Sequence, residues 1–75
     1  MVIPLNYLEP DQQAEVVWLA FLPDTGQYFM DLGFAPGERV VCLLRAAKNG
    51  MAAYRVSDAV IALRAEDARW IFVQK

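Results

Sequence analysis

Seventy-five residues allow one domain, residues 1–75, and a chain that short buries only about 60–65% of its unfolded surface. Cys42 is the only cysteine and histidine is absent, which excludes an internal disulfide and removes the commonest transition-metal ligand. Seven basic residues scattered singly through a chain of net charge −2 lack the basic stripe of a nucleic-acid binder, while 57% hydrophobic residues point to a dense core plus surface that something else covers.

The opening residues, Met1 to Tyr7, carry no basic segment followed by a long apolar run, and the apolar stretch at 16–22 is far shorter than a bilayer span. A cytoplasmic protein is the expectation, and a single thiol fits a reducing compartment.

Residues 1–13 read as a lead-in, because Pro4 and Pro10 both interrupt a helix. Leu5 and Leu8 can plug one end of a core, and Pro10-Asp11 signals a turn. Residues 14–21 form the first predicted strand, rich in β-branched and aromatic side chains on both alternation faces. Pro23-Asp24-Thr25 stops it, and Asp24 or Thr25 caps a short helix over 26–32. Phe29 and Leu32 share one face of that helix, with Met30 beside them.

Gly33 stands where a left-handed cap is needed, and Phe34-Ala35-Pro36-Gly37 reads as a tight turn with Gly37 at positive φ. Strands follow over 39–45, 52–56 and 60–64. Asn49-Gly50 is a hairpin signal and Ser57-Asp58 a second turn. Residues 65–69 suit a single packed turn, and 70–73 close the sheet. Five short strands with a helix between the first two predict a mainly β fold, a small closed barrel that removes exposed edges.

Catalysis finds no support. Ser57 and Thr25 lie in turns without a histidine to activate them, and Cys42 sits in an apolar strand where burial makes a thiol inert. The carboxylate pairs Asp24/Asp31, Glu66/Asp67 and Glu9/Asp11 fall at turns and helix ends, where capping accounts for them. Carboxylates alone suit Mg²⁺ or Ca²⁺ better than Fe²⁺ or Zn²⁺, and no spacing resembles a transition-metal motif. No phosphate-cradling loop exists either, since Pro36 removes an N–H between Gly33 and Gly37. The expectation is a non-enzyme with no cofactor, and a weak metal site on Glu or Asp stays open.

The aromatic residues carry more information. If Ile71 and Val73 point inward, Trp70 and Phe72 point out, and Trp18 joins them beside an inward Val16 and Leu19. Two readings stand: an exposed aromatic interface, or a second small cluster with the N-terminal segment folded over the rings.

Met30-Asp31-Leu32-Gly33-Phe34-Ala35-Pro36-Gly37 resembles the core phrase of the FeoA family, small cytosolic proteins of bacterial ferrous iron uptake. Val60-Ile61-Ala62-Leu63-Arg64, followed by Glu66, Ala68, Ile71 and Val73, is similar to a second family phrase, and Leu5, Leu8, Pro10 and Ala14 fit its opening. Tyr28-Phe29 stands where many members carry Arg-Leu, so a role resting on that arginine is not carried over. Asp11 and Ser57-Asp58 stand where many members carry glycine.

The resemblance implies an SH3-like barrel, the barrel also found at the C-terminus of iron-dependent repressors. It implies a non-enzymatic accessory protein whose partner is the cytosolic GTPase domain of the FeoB permease, with contact to the membrane only through that partner. The candidate contact surface is Tyr28, Phe29, Met30, Phe34 and Pro36, or the patch of Trp18, Trp70 and Phe72, with Gly33 and Gly37 as turn and cap residues. A metal-responsive regulatory module is the alternative. Exposed aromatics on a marginal core also suit a homo-oligomer. A proline-peptide-binding SH3 domain is not expected, because no acidic loop carries paired tyrosines.

Overall fold

The computed structural model describes residues 1–46 and 50–75. Six antiparallel strands form one sheet: β1 (Val2–Pro4), β2 (Gln13–Leu19), β3 (Arg39–Arg45), β4 (Met51–Val56), β5 (Ala59–Arg64) and β6 (Ile71–Gln74). Their spatial order is β1-β6-β2-β3-β4-β5. Helix α1 (Pro23–Leu32) connects β2 to β3, and the one-turn α2 (Ala65–Ala68) connects β5 to β6.

The inward faces of the strands share one core. Val16, Val40, Cys42, Tyr54, Val56, Ile71 and Val73 are buried in a single cluster with Leu5, Leu8, Phe29 and Phe34. A sheet that feeds one cluster from β2 through β6 has to curl around it. Leu5 and Leu8 are fully buried at either end of a single 3₁₀ turn, Leu5–Tyr7, closed by the Leu8 N–H on the Leu5 carbonyl at 3.0 Å.

Two expectations are corrected. The sheet has six strands rather than five, because the N-terminal segment pairs with β6, with Val2 opposite Gln74 and Pro4 opposite Phe72. Pro4 is tolerated there because β1 is an edge strand, where a missing N–H breaks no ladder bond. As a result α1 falls between the second and third strands, not the first and second. The sheet is also open: among the described residues no pairing joins β1 to β5, so both remain edges.

The helix begins three residues earlier than expected. Pro23 occupies its first turn, and Leu22 is the N-cap with no side-chain hydrogen bond, so neither Asp24 nor Thr25 caps it. Proline supplies the start instead, with φ preset and no N–H to satisfy. Asp24 lies in the first turn, where its charge complements the helix dipole.

Glycine ends the helix as expected. Gly33 has φ +122°, its N–H reaches the Met30 carbonyl at 3.0 Å, and Phe34 N–H bonds the Phe29 carbonyl at 3.0 Å. That double closure is a Schellman-type stop, and it turns Phe34 back into the core. Gly37, at φ +95°, follows Pro36 in a turn closed by Glu38 N–H on the Ala35 carbonyl at 3.0 Å, a type II arrangement. The turn is clipped to β2 by Gly37 N–H on the Val16 carbonyl at 2.7 Å.

Among the described residues, three other turn residues take positive φ without being glycine: Asp11 (71°), Ser57 (51°) and Asp58 (66°). Ser57-Asp58 forms the two-residue hairpin between β4 and β5, the mirror-image turn whose twist suits a hairpin. Of the hairpin signal at Asn49-Gly50, Asn49 lies outside the described residues, while Gly50 has φ +68°.

Gly33 and Gly37 separate two kinds of cost. A Cβ on Gly33 would sit 3.1 Å from Ser57 Cβ and 3.3 Å from Val56 Cγ1, whereas one on Gly37 meets nothing within 4 Å. Gly33→Ala should therefore cost about 2–3 kcal/mol and Gly37→Ala about 1 kcal/mol in urea unfolding. Equal losses would refute the close packing of α1 on the β4–β5 turn. Left-handed backbone costs an L-residue about 1–2 kcal/mol and glycine loses about 0.5–1 in chain entropy, so Asp11→Gly and Asp58→Gly should each gain up to about 1 kcal/mol.

Candidate functional site

The outer face of β2 and β6 carries an apolar row. Register shifts between Val16 and Trp18 in the β2–β6 pairing, the mark of a β-bulge at Val17. The bulge lets Val16 and Leu19 both face the core while Val17 and Trp18 face out. Trp18 is paired with Phe72, and Phe72 in turn with Pro4, so the three lie in one line across three strands. The Trp18 and Phe72 rings stack at 5.5 Å with 25° between planes.

Trp18 remains 60% exposed and Trp70 41%. Trp70 precedes β6 rather than belonging to it, and the Arg69 guanidinium lies 4.7 Å from its ring centroid. The N-terminal segment runs beside β6 and leaves Trp18 exposed, while Phe72 is half-buried.

The second predicted surface divides. Tyr28 is exposed at 59%, Pro36 is exposed and Met30 half-buried. Phe29 and Phe34, at 5% and 0%, belong to the core and are withdrawn as surface contacts. Phe29 stacks on Phe21 at 4.6 Å, and Phe34 meets Tyr54 edge-on at 6.4 Å. The helix stop at Gly33 turns Phe34 inward, whereas Phe29 lies on the face of α1 that packs on the core.

Beside Tyr28 lies a groove of about 320 Å³ between α1 and β5, which sequence reasoning did not find. Tyr28, Phe29 and Leu32 form one wall, and the consecutive residues Ile61, Ala62, Leu63 and Arg64 form the other with Met51 of β4, and Asp67 stands at the end. Among the described residues β5 has no partner strand on its outer side, and nothing in the composition of 59–64 distinguishes an edge strand from a paired one.

Charge offers little catalytic chemistry. Among the described residues no group of three metal-ligating side chains gathers. The ion pairs Arg45–Glu9 at 3.1 Å and Arg64–Glu66 at 3.5 Å are exposed and contribute little to stability. Burial pushes the Cys42 thiol up, partly opposed by the Arg45 charge. Burial, reinforced by Cys42, pushes the Tyr54 phenol from 10.0 up to about 12.

Since the folded value of Tyr54 lies above its unfolded one, its neutral form stabilises the fold fully below pH 10 and that contribution is lost as pH rises through about 12. Tyr54→Phe should flatten the fall in unfolding midpoint over that window, although it removes a hydroxyl. An unchanged alkaline slope would assign the loss to other groups.

Residues 3–75 match a family model described as the FeoA domain. No curated protein sequence matches the chain. Among solved structures, the chain is similar to an iron uptake regulatory protein, FeoA, with TM-score 0.88 and 23% identity over 99% of this chain and 97% of that one. A FeoA protein from Chlorobium tepidum gives TM-score 0.86 and 25% identity over 96% of this chain and 69% of that one. A manganese-dependent transcriptional repressor gives 0.87 and 21% identity, with 99% of this chain covering 41% of the repressor.

Proposed function

The chain belongs to the FeoA domain family, and on that footing we propose that it is a non-enzymatic accessory protein of ferrous iron uptake that docks on the cytosolic GTPase domain of a FeoB-type permease. The exposed aromatic row carries this reading. Trp18 and Trp70 keep large apolar surfaces in water on a domain with little core to spare, a cost that burial against a partner returns. Phe72 and Pro4 flatten the row across β6 and β1.

Docking of this kind alters a partner's nucleotide cycle or assembly without turnover of its own. No helix among the described residues is long and apolar enough to cross a membrane, so membrane contact runs through the permease in this reading and the protein acts in the cytoplasm.

A second reading is a metal-responsive regulatory module, favoured by the fold shared with a metal-dependent repressor. It requires a stoichiometric site for Fe²⁺ or Mn²⁺. Calorimetry with Mn²⁺ showing no heat of binding in the micromolar range would remove it.

The accessory reading is tested by capture of the permease's GTPase domain with GDP, with a GTP analogue and without nucleotide. Trp18→Ser and Phe72→Ser should each leave the fold intact and weaken capture about tenfold or more, since interface aromatics commonly contribute over 1 kcal/mol. Capture that is undiminished in both variants would contradict the proposed face.

A further inference from the structure

The geometry points to β5 as a docking edge that takes an extended polypeptide segment as a seventh strand, seated in the groove between β5 and α1. The hairpin register shows which backbone groups are free. Val56 faces Ala59 across the two-residue turn, and the pairing runs without a bulge to Met51 opposite Arg64. Hydrogen-bonded and non-bonded pairs alternate from the turn-closing pair, so Ala59, Ile61 and Leu63 bond to β4. Val60, Ala62 and Arg64 then turn their N–H and C=O groups away from the sheet.

The sheet order ends at β5, and no pairing among the described residues takes up that outer edge. Four consecutive residues of β5 line the groove. A wall built by one strand face would show alternate residues, so consecutive ones bring the backbone edge of β5 into the lining, together with Met51 of β4 opposite Arg64. Such an edge is satisfied by another extended backbone.

The opposite wall sets the side chains. Tyr28 and Leu32, one turn apart on α1, face the groove with Ile61, which suits an apolar residue on the inward side of the incoming strand. The surrounding charge is acidic. Arg64 is paired with Glu66 at 3.5 Å, while Asp67 at the groove end and Asp58 beside the start of β5 have no ion pair among the described residues. The occupant is therefore an extended, alternating apolar segment with basic flanks. A second copy fits poorly, because α1 occupies the space beneath the incoming strand where that copy's own core would have to lie.

The groove lies apart from the aromatic row, so this inference neither needs that reading nor falls with it. The probe is a synthetic peptide of alternating valine and threonine with a lysine at each end, titrated into the isotope-labelled full chain. Saturable amide shifts at Val60 and Ala62, with side-chain shifts at Tyr28 and Leu32, are expected. Ala62→Pro removes one outward N–H but no β4 bond, and should weaken the peptide about tenfold while leaving the thermal midpoint nearly unchanged.

Should that variant fail to fold, alternate N-methylation of the peptide tests the same bonds on the unaltered protein. Only the peptide methylated on the amides facing β5 should lose binding. Shifts confined to Trp18 and Phe72, no saturable shift at β5, or equal binding by both methylated peptides would overturn the proposal. So would concentration-dependent self-association through β5 without peptide, which would make a second copy the occupant.

Discussion

Gly33 leaves little room for a side chain, and much of the molecule is arranged around that close approach. The end of α1 meets the β4–β5 turn so closely that a Cβ on the glycine would press on Val56 and Ser57 more tightly than in ordinary contact. The positive φ that stops the helix also turns Phe34 into the core, next to the core cluster that Phe29 joins from α1. With the C-terminal end of the helix held against the end of β4 and the turn that follows, its Tyr28 and Leu32 look across the groove at β5. Core, helix position and groove thus share one backbone constraint, set by a single residue's lack of a Cβ.

A second constraint is independent of the first. The bulge at Val17 changes the phase of β2, so a strand with four consecutive apolar residues serves both a core and an outer face. Without it, Trp18 would follow Val16 inward by simple alternation. The outer face is thereby loaded with tryptophan in a domain that has no disulfide and few residues to bury. Surface aromatics at this cost are the feature that a binding partner best accounts for.

Much of this was legible in the residues themselves. Gly33, Pro36 and Gly37 announce their turns because proline and glycine restrict or free φ in ways no other residue does. The outward Trp70 and Phe72 follow from an inward Ile71 and Val73, and the spacing of Val16 and Leu19 already required a break in alternation. The failures have physical reasons too. Residues 2–4 are too few to show a strand period, and Pro4, which argues against a helix, is tolerated in an edge strand. The inward turn of Phe29 and Phe34 depends on where α1 packs, which local spacing does not encode. Openness of the sheet, and with it the β5 groove, is a property of which strands fail to meet, and no single segment carries it.

The chain holds two tryptophans, and both lie on or beside the proposed docking face, so they report directly on the central claim. The measurement is fluorine NMR of the 5-fluorotryptophan-labelled protein titrated with the GTPase domain of a FeoB-type permease. The account requires the Trp18 resonance to shift or broaden saturably, with Trp70 following to a lesser degree. Complex formation that leaves both resonances unmoved would place the contact elsewhere and contradict it.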